Sequence, residues 1–128
     1  MSGNKMIVTV GHNNISCNDA DRFEKTIREL LSLESAEVWI SMTGDRDECP
    51  CMSLLVNQNA ATLNYYGDDE SCYASYSGDS KQGIVSFCDG QYEIDNSQVI
   101  DKESVLTALM DYYRNNTRSD SIQWDQLY

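Results

Sequence analysis

The hydrophobic pattern alternates between a period of two and a period near 3.6. Residues 5–10 (KMIVTV) read as a short strand, and the polar stretch 11–18 breaks that pattern. A helix follows, because Phe23, Ile27, Leu30 and Leu31 recur at helical spacing on one stripe. Asn18, Asp19 and Asp21 supply capping side chains and early acids for it, and Glu34 and Ser35 mark its exit. Residues 37–42 (EVWISM) alternate, with Val38, Ile40 and Met42 on one face and Trp39 on the other. Further strands are expected at 51–57, 61–66, 72–77, 84–88 and 91–94. Short connections at 58–60 and at Asp89-Gly90 have hairpin length, the latter being a strong turn signal. Asp101 caps a second helix whose apolar face is Val105, Leu106, Leu109, Met110 and Tyr113. A polar break at 115–120 leads to a last extended piece around Ile122 and Trp124.

This order predicts an α+β fold, one largely antiparallel meander sheet with two main helices packed on it. A chain of 128 residues fits a single domain over 1–128. No repeat, low-complexity segment or linker divides it, and no run approaches the roughly 18 apolar residues of a membrane span.

Charge changes the picture. The chain has 21 Asp and Glu against 9 Lys and Arg, a formal net charge of −12. That excludes free nucleic acid and anionic membranes as natural partners, because both require a cationic surface. A basic protein surface is the natural complement, although net charge also serves solubility.

If residues 51–94 form an up-and-down meander, the loops 43–50, 67–71 and 89–90 gather at one end of the sheet. That end would hold Asp45, Asp47, Glu48, Asp68, Asp69, Glu70 and Asp89, offset by Arg46. Tyr65, Tyr66 and Tyr73 would lie beside them as candidate anchors, since tyrosines among acids suit a protein-binding face. Tyrosine also favours strands for packing reasons alone.

Candidate chemistry is sparse. His12 is the only histidine, and its spacing from Cys17 matches no known nucleophile motif. Cys49-Pro50-Cys51 is a lone CxC, short of the paired elements that make a four-ligand zinc site. The acidic loops lack the alternating ligands and glycine of a calcium loop. Phosphate-binding glycine loops and the common hydrolase motifs are absent. No metal, cofactor or catalytic residue is expected. The five cysteines, an odd number with no secretory leader before them, suggest reduced thiols in a cytoplasmic protein.

The second half also resembles a known family. A strand pair around 84–94, the helix VIDKESVLTALMDYYRNN, a polar break with Arg118 and a closing IQW with Trp124 resemble the type-one immunity proteins of bacterial polymorphic toxin systems. Phe23–Leu33 and the Trp-bearing strand at 37–42 compare with that family's first half. Where the family carries Gly and Arg-Pro before the final strand, this chain has Asn115 to Ser119.

The resemblance implies a cytoplasmic α+β protein, monomeric or weakly dimeric, that blocks the active site of a cognate toxin domain. Toxins paired with the family include enzymes acting on nucleic acid, such as deaminases, whose active-site clefts are basic. A small acidic adaptor and a small enzyme using Cys17 and His12 are the competing expectations.

Overall fold

The computed structural model describes residues 5–43, 49–78 and 82–127. It is α+β: two helices packed on a large antiparallel sheet, as the sequence pattern predicts. The strands are β1 (Met6–Val10), β2 (Asn13–Cys17), β3 (Ser35–Ser41), β4 (Cys51–Asn57), β5 (Ala61–Tyr66), β6 (Cys72–Tyr76), β7 (Ile84–Phe87), β8 (Tyr92–Asp95) and β9 (Gln123–Gln126). The helices are α1 (Ala20–Leu31) and α2 (Lys102–Asn115). Seven strands form the sheet in the order β2-β1-β3-β4-β5-β6-β9, and β7-β8 form a separate hairpin.

Alternation along the strands explains the layering. Val8, Val38, Ile40, Met52, Leu54 and Leu63 share one face and are fully buried under the helices. From α1, Phe23, Ile27 and Leu30 meet this face; from α2, Val105, Leu109 and Tyr112 do so. Phe23 and Tyr113 join the two helices, with ring centroids 4.9 Å apart. Asp19 caps α1 by accepting from the Arg22 amide, and Asp101 caps α2 by accepting from the Ser104 amide, as their side chains suggested. Lys102 locks this layer to the sheet. Its ammonium donates to the carbonyls of Leu31, at the end of α1, and of Gln58, in the β4–β5 turn.

Three features depart from the sequence reading. The polar stretch 11–18 holds a strand, β2, which pairs with β1 from Met6↔Cys17 to Val10↔Asn13. It is an edge strand with mostly exposed side chains, so it lacks the apolar alternation that marks a half-buried strand. Second, the meander ends at β6: β7 and β8 leave the sheet, and β9 takes the place beside β6.

Third, Asp89 is therefore not at the end where the meander would put it. The β7–β8 hairpin sits against the other end, where the Asn57 amide donates to the Ser86 carbonyl. There Asp89 and Gly90 share a shallow cleft with Glu34, Gln58 and Asn59.

The departure has a local cause at Ser75. Pairing of β5 with β6 runs from Tyr66↔Cys72 to Asn64↔Ala74 and then stops. The Ser75 hydroxyl takes over, accepting from the Leu63 amide at 3.1 Å and donating to the Gln98 carbonyl at 2.6 Å. Ile100 then pairs with Ala61 in the position that a continued β6 would have filled. The segment between β8 and α2 wedges the two strands apart, and the Leu63 amide, the Ser75 hydroxyl and the Gln98 carbonyl stay hydrogen-bonded to one another.

Candidate functional site

Strand register brings the end of β3 and the start of β4 to the same end of the sheet as the 67–71 turn. Ile40 pairs with Met52, and Cys51 with Tyr66. Asp45, Asp47 and Glu48 lie outside the described residues. The 67–71 loop is a closed turn. The Gly67 amide donates to the Ser71 carbonyl, and the Glu70 amide donates to the Gly67 carbonyl. Asp69 accepts from both the amide and the hydroxyl of Ser71, which hold its carboxyl below the ordinary aspartate value. A Cβ at Gly67 would come within 2.8 Å of Asp69 Oδ1 and Ser71 Oγ, so a larger residue there would displace those two side chains. Glu70 occupies the left-handed region at φ 68°, and Asp68, Asp69 and Glu70 are all exposed.

The three tyrosines beside this loop have different fates. Tyr65 is buried, and its ring packs on Tyr73 and edge-on against Tyr112. Burial raises its phenol pKa, so it belongs to the core and is no exposed anchor. Tyr73 is half-buried beneath the guanidinium of Arg118, 3.6 Å above its ring centroid. Arg118 thus sits between the aromatic face and the acidic loop. Tyr66, one residue along from Tyr65, points to the other face of the sheet. There it is half-buried and stacks on Trp39 at 5.8 Å, with the rings 24° apart.

Among the described residues, that face, away from the helices, is covered only in part. The β7–β8 hairpin crosses its far end, where the Tyr92 hydroxyl donates to Glu37 at 2.6 Å and Phe87 is buried. Nearer the acidic loop the face carries Trp39, Ser53, Asn64 and Tyr66, all half-exposed, and the exposed Asp125. Their cross-strand neighbours Thr9, Cys51, Cys72 and Ala74 are buried, so the two large rings form the outer layer.

Charge is divided between the two layers, which sequence reasoning about loops alone did not reveal. Helix α1 balances Asp21, Glu24 and Glu29 with Arg22, Lys25 and Arg28, and α2 balances Glu103 and Asp111 with Lys102 and Arg114. The nine strands contain no Lys or Arg, while Glu37, Glu93, Asp95 and Asp125 lie on them. The whole net charge of −12 therefore resides off the helices.

The enzyme-like pair is not assembled. His12 is exposed in the β1–β2 turn, whereas Cys17 is buried at the opposite end of β2, about 15 Å along the strand. The Cys17 thiol donates to Thr26, and burial raises its pKa. Cys51 is likewise pushed up to about 12 by burial. All five cysteines are free; Cys17, Cys51 and Cys72 are buried, Cys88 is half-buried and Cys49 is exposed. Among the described residues no group of three or more His, Cys, Asp or Glu side chains is placed to hold a metal ion.

A cleft of about 620 Å³ lies between Tyr76, Ile122 and the first turn of α2. It contains none of the candidate residues. Among the described residues, no helix is long and apolar enough to cross a membrane. In comparisons with known proteins, the chain matches no family model and no curated protein.

Proposed function

We propose that this protein is a cytoplasmic immunity protein that binds a cognate bacterial toxin domain and masks its active site. The observation that carries the reading is the uneven placement of charge. Both helices are neutral, and the negative charge is left to the strands and loops, with Asp68, Asp69 and Glu70 held together in one ordered turn. Such a field accelerates encounter with a basic surface and opposes encounter with nucleic acid. A toxin acting on nucleic acid presents a basic cleft of this kind, and the type-one immunity resemblance of the second half points the same way.

Neutralisation calls for nanomolar binding or better, about −12 kcal/mol. An acidic adaptor remains the competing class, and the two separate experimentally. Each toxin-like gene adjacent to this one is co-expressed with it and without it. An immunity protein restores growth and purifies as a stable complex with one toxin domain. An adaptor restores growth with none, which would sink the reading. Reversing Asp68, Asp69 and Glu70 together to Lys should slow association at least about tenfold at low salt, and less at high salt.

A further inference from the structure

We propose that Cys49 and Cys51 form a thiol–disulfide exchange site, which a small-molecule disulfide of the glutathione class converts reversibly into a Cys49–Cys51 bridge. This goes beyond the proposed function and does not rest on it.

The two thiols are neighbours in different surroundings. Cys49 is exposed, and Cys51, the first residue of β4, is buried. Their side chains are hydrogen-bonded to each other. Cα atoms two residues apart are at most about 7 Å from each other, so contact between the sulfurs puts the pair within bridging range. The residue between them is held in place. The hydroxyl of the fully buried Tyr112 shares its proton between the carbonyls of Pro50, at 3.3 Å, and Ile40, at 3.5 Å.

The other cysteines are out of reach of Cys51. Cys51 pairs with Tyr66, and Tyr66 with Cys72, so Cys51 and Cys72 lie two strands apart, about 9.6 Å between Cα atoms. A bridge requires less than about 7 Å. Cys17 ends β2, three strands from β4 or about 14 Å, and its thiol donates to Thr26. Cys88 follows β7 in the hairpin at the other end of the sheet.

Exposure divides the roles of the two thiols. Cys49 meets the small disulfide, because exchange requires access to the attacking sulfur. Burial, and then the adjacent Cys49 sulfur, push the Cys51 thiol up to about 12, so Cys51 keeps its proton while the pair is reduced. Cys49, as its thiolate, attacks one sulfur of the small disulfide. A mixed disulfide forms on Cys49 and one small thiolate leaves. Cys51 gives its proton to that thiolate and attacks the Cys49 sulfur, which it already touches, expelling the second small thiolate. This second thiolate takes up the proton that Cys49 released. Two protein thiols and one small disulfide thus become one protein disulfide and two small thiols.

The test treats the intact, reduced protein with oxidised glutathione under native conditions, followed by intact-mass spectrometry and peptide mapping. The expected product has lost two hydrogens, retains no glutathione and carries its bridge between Cys49 and Cys51. Dithiothreitol should return it to the starting mass. Cys51→Ser should stop at the glutathione mixed disulfide on Cys49, because the resolving thiol is gone.

Cys49→Ser should slow the loss of protein thiols at least about tenfold, since the remaining thiols are buried or half-buried. Cys88→Ser should change that rate by less than about twofold. The bridge mapping needs no variant, so a substituted chain that fails to fold leaves the test intact. No reaction, glutathione retained on Cys49 of the unsubstituted chain, a bridge between any other pair, or an unslowed Cys49→Ser variant would overturn the inference. Every outcome is read without a toxin, so failure of this site and failure of the inhibitor reading are distinguishable.

Discussion

The two faces of the sheet are built from the same strands and to different rules. Leu54 and Leu55 are neighbours in β4; Leu54 is fully buried under the helices, and Leu55 is half-buried on the other side. On the helix side, volume decides: Val8, Val38, Ile40 and Leu63 fill the space between sheet and helices. On the other side, small or polar residues such as Thr9, Ser41 and Ser53 surround two large rings, and the hairpin covers only one end. The first face gives the fold its stability. The second is less constrained by packing.

The contrast can be broken most directly within β4. Leu54→Ala should destabilise the protein by about 2–5 kcal/mol, and Leu55→Ala by about 1 kcal/mol or less, measured by urea unfolding. Equal losses would mean that the second face is as tightly packed as the first. Ser75→Ala probes where the two arrangements meet. It strips partners from the Leu63 amide and the Gln98 carbonyl and should cost about 1–3 kcal/mol. A neutral result would show that the β5–β6 separation does not depend on that hydroxyl.

Single charge changes sharpen the comparison further. With a toxin partner in hand, Asp68→Lys should slow association several-fold at low salt, whereas Glu29→Lys on α1 should leave it within about twofold. Matching rates for both variants would remove the distinction between layers.

The smallest effect concerns pH. The Ser71 hydroxyl and amide hold the Asp69 carboxyl below its ordinary 3.8. Their support for the turn is complete above the unfolded value and is lost as pH falls through the lower folded one. Asp69 side-chain NMR should give a midpoint below 3.8, and a midpoint above it would contradict the hydrogen-bonded turn.

Much of this was legible before the fold was known. The stripe Phe23, Ile27, Leu30 and the face Val105, Leu109, Tyr113 specified both helices, because burial of one stripe imposes helical spacing. Asp19 and Asp101 marked their starts through capping chemistry. The alternation in β3 to β6 placed the end of β3, the start of β4 and the 67–71 turn at one end, since hairpins reverse direction at every turn.

Other parts were not legible. Strand β2 hid in a polar stretch because an edge strand needs backbone partners on one side only and little burial. Tyr65 and Tyr66 read alike as anchors, yet one is core and the other stacks on Trp39. Alternation separates the two faces, but it does not say which of them the helices will cover.

The sequence by itself determined both helices, their caps, the strands other than β2 and the excess of acids, because each depends on local spacing and residue type. Tertiary structure decided where the acids lie. It moved Asp89 and the β7–β8 hairpin away from the loop end, and let β9 close the sheet beside β6. The physical reason is long-range satisfaction of buried groups. Ser75, Gln98 and Ile100 compete with strand pairing for the edge of β5, and that competition is settled between residues far apart in the chain.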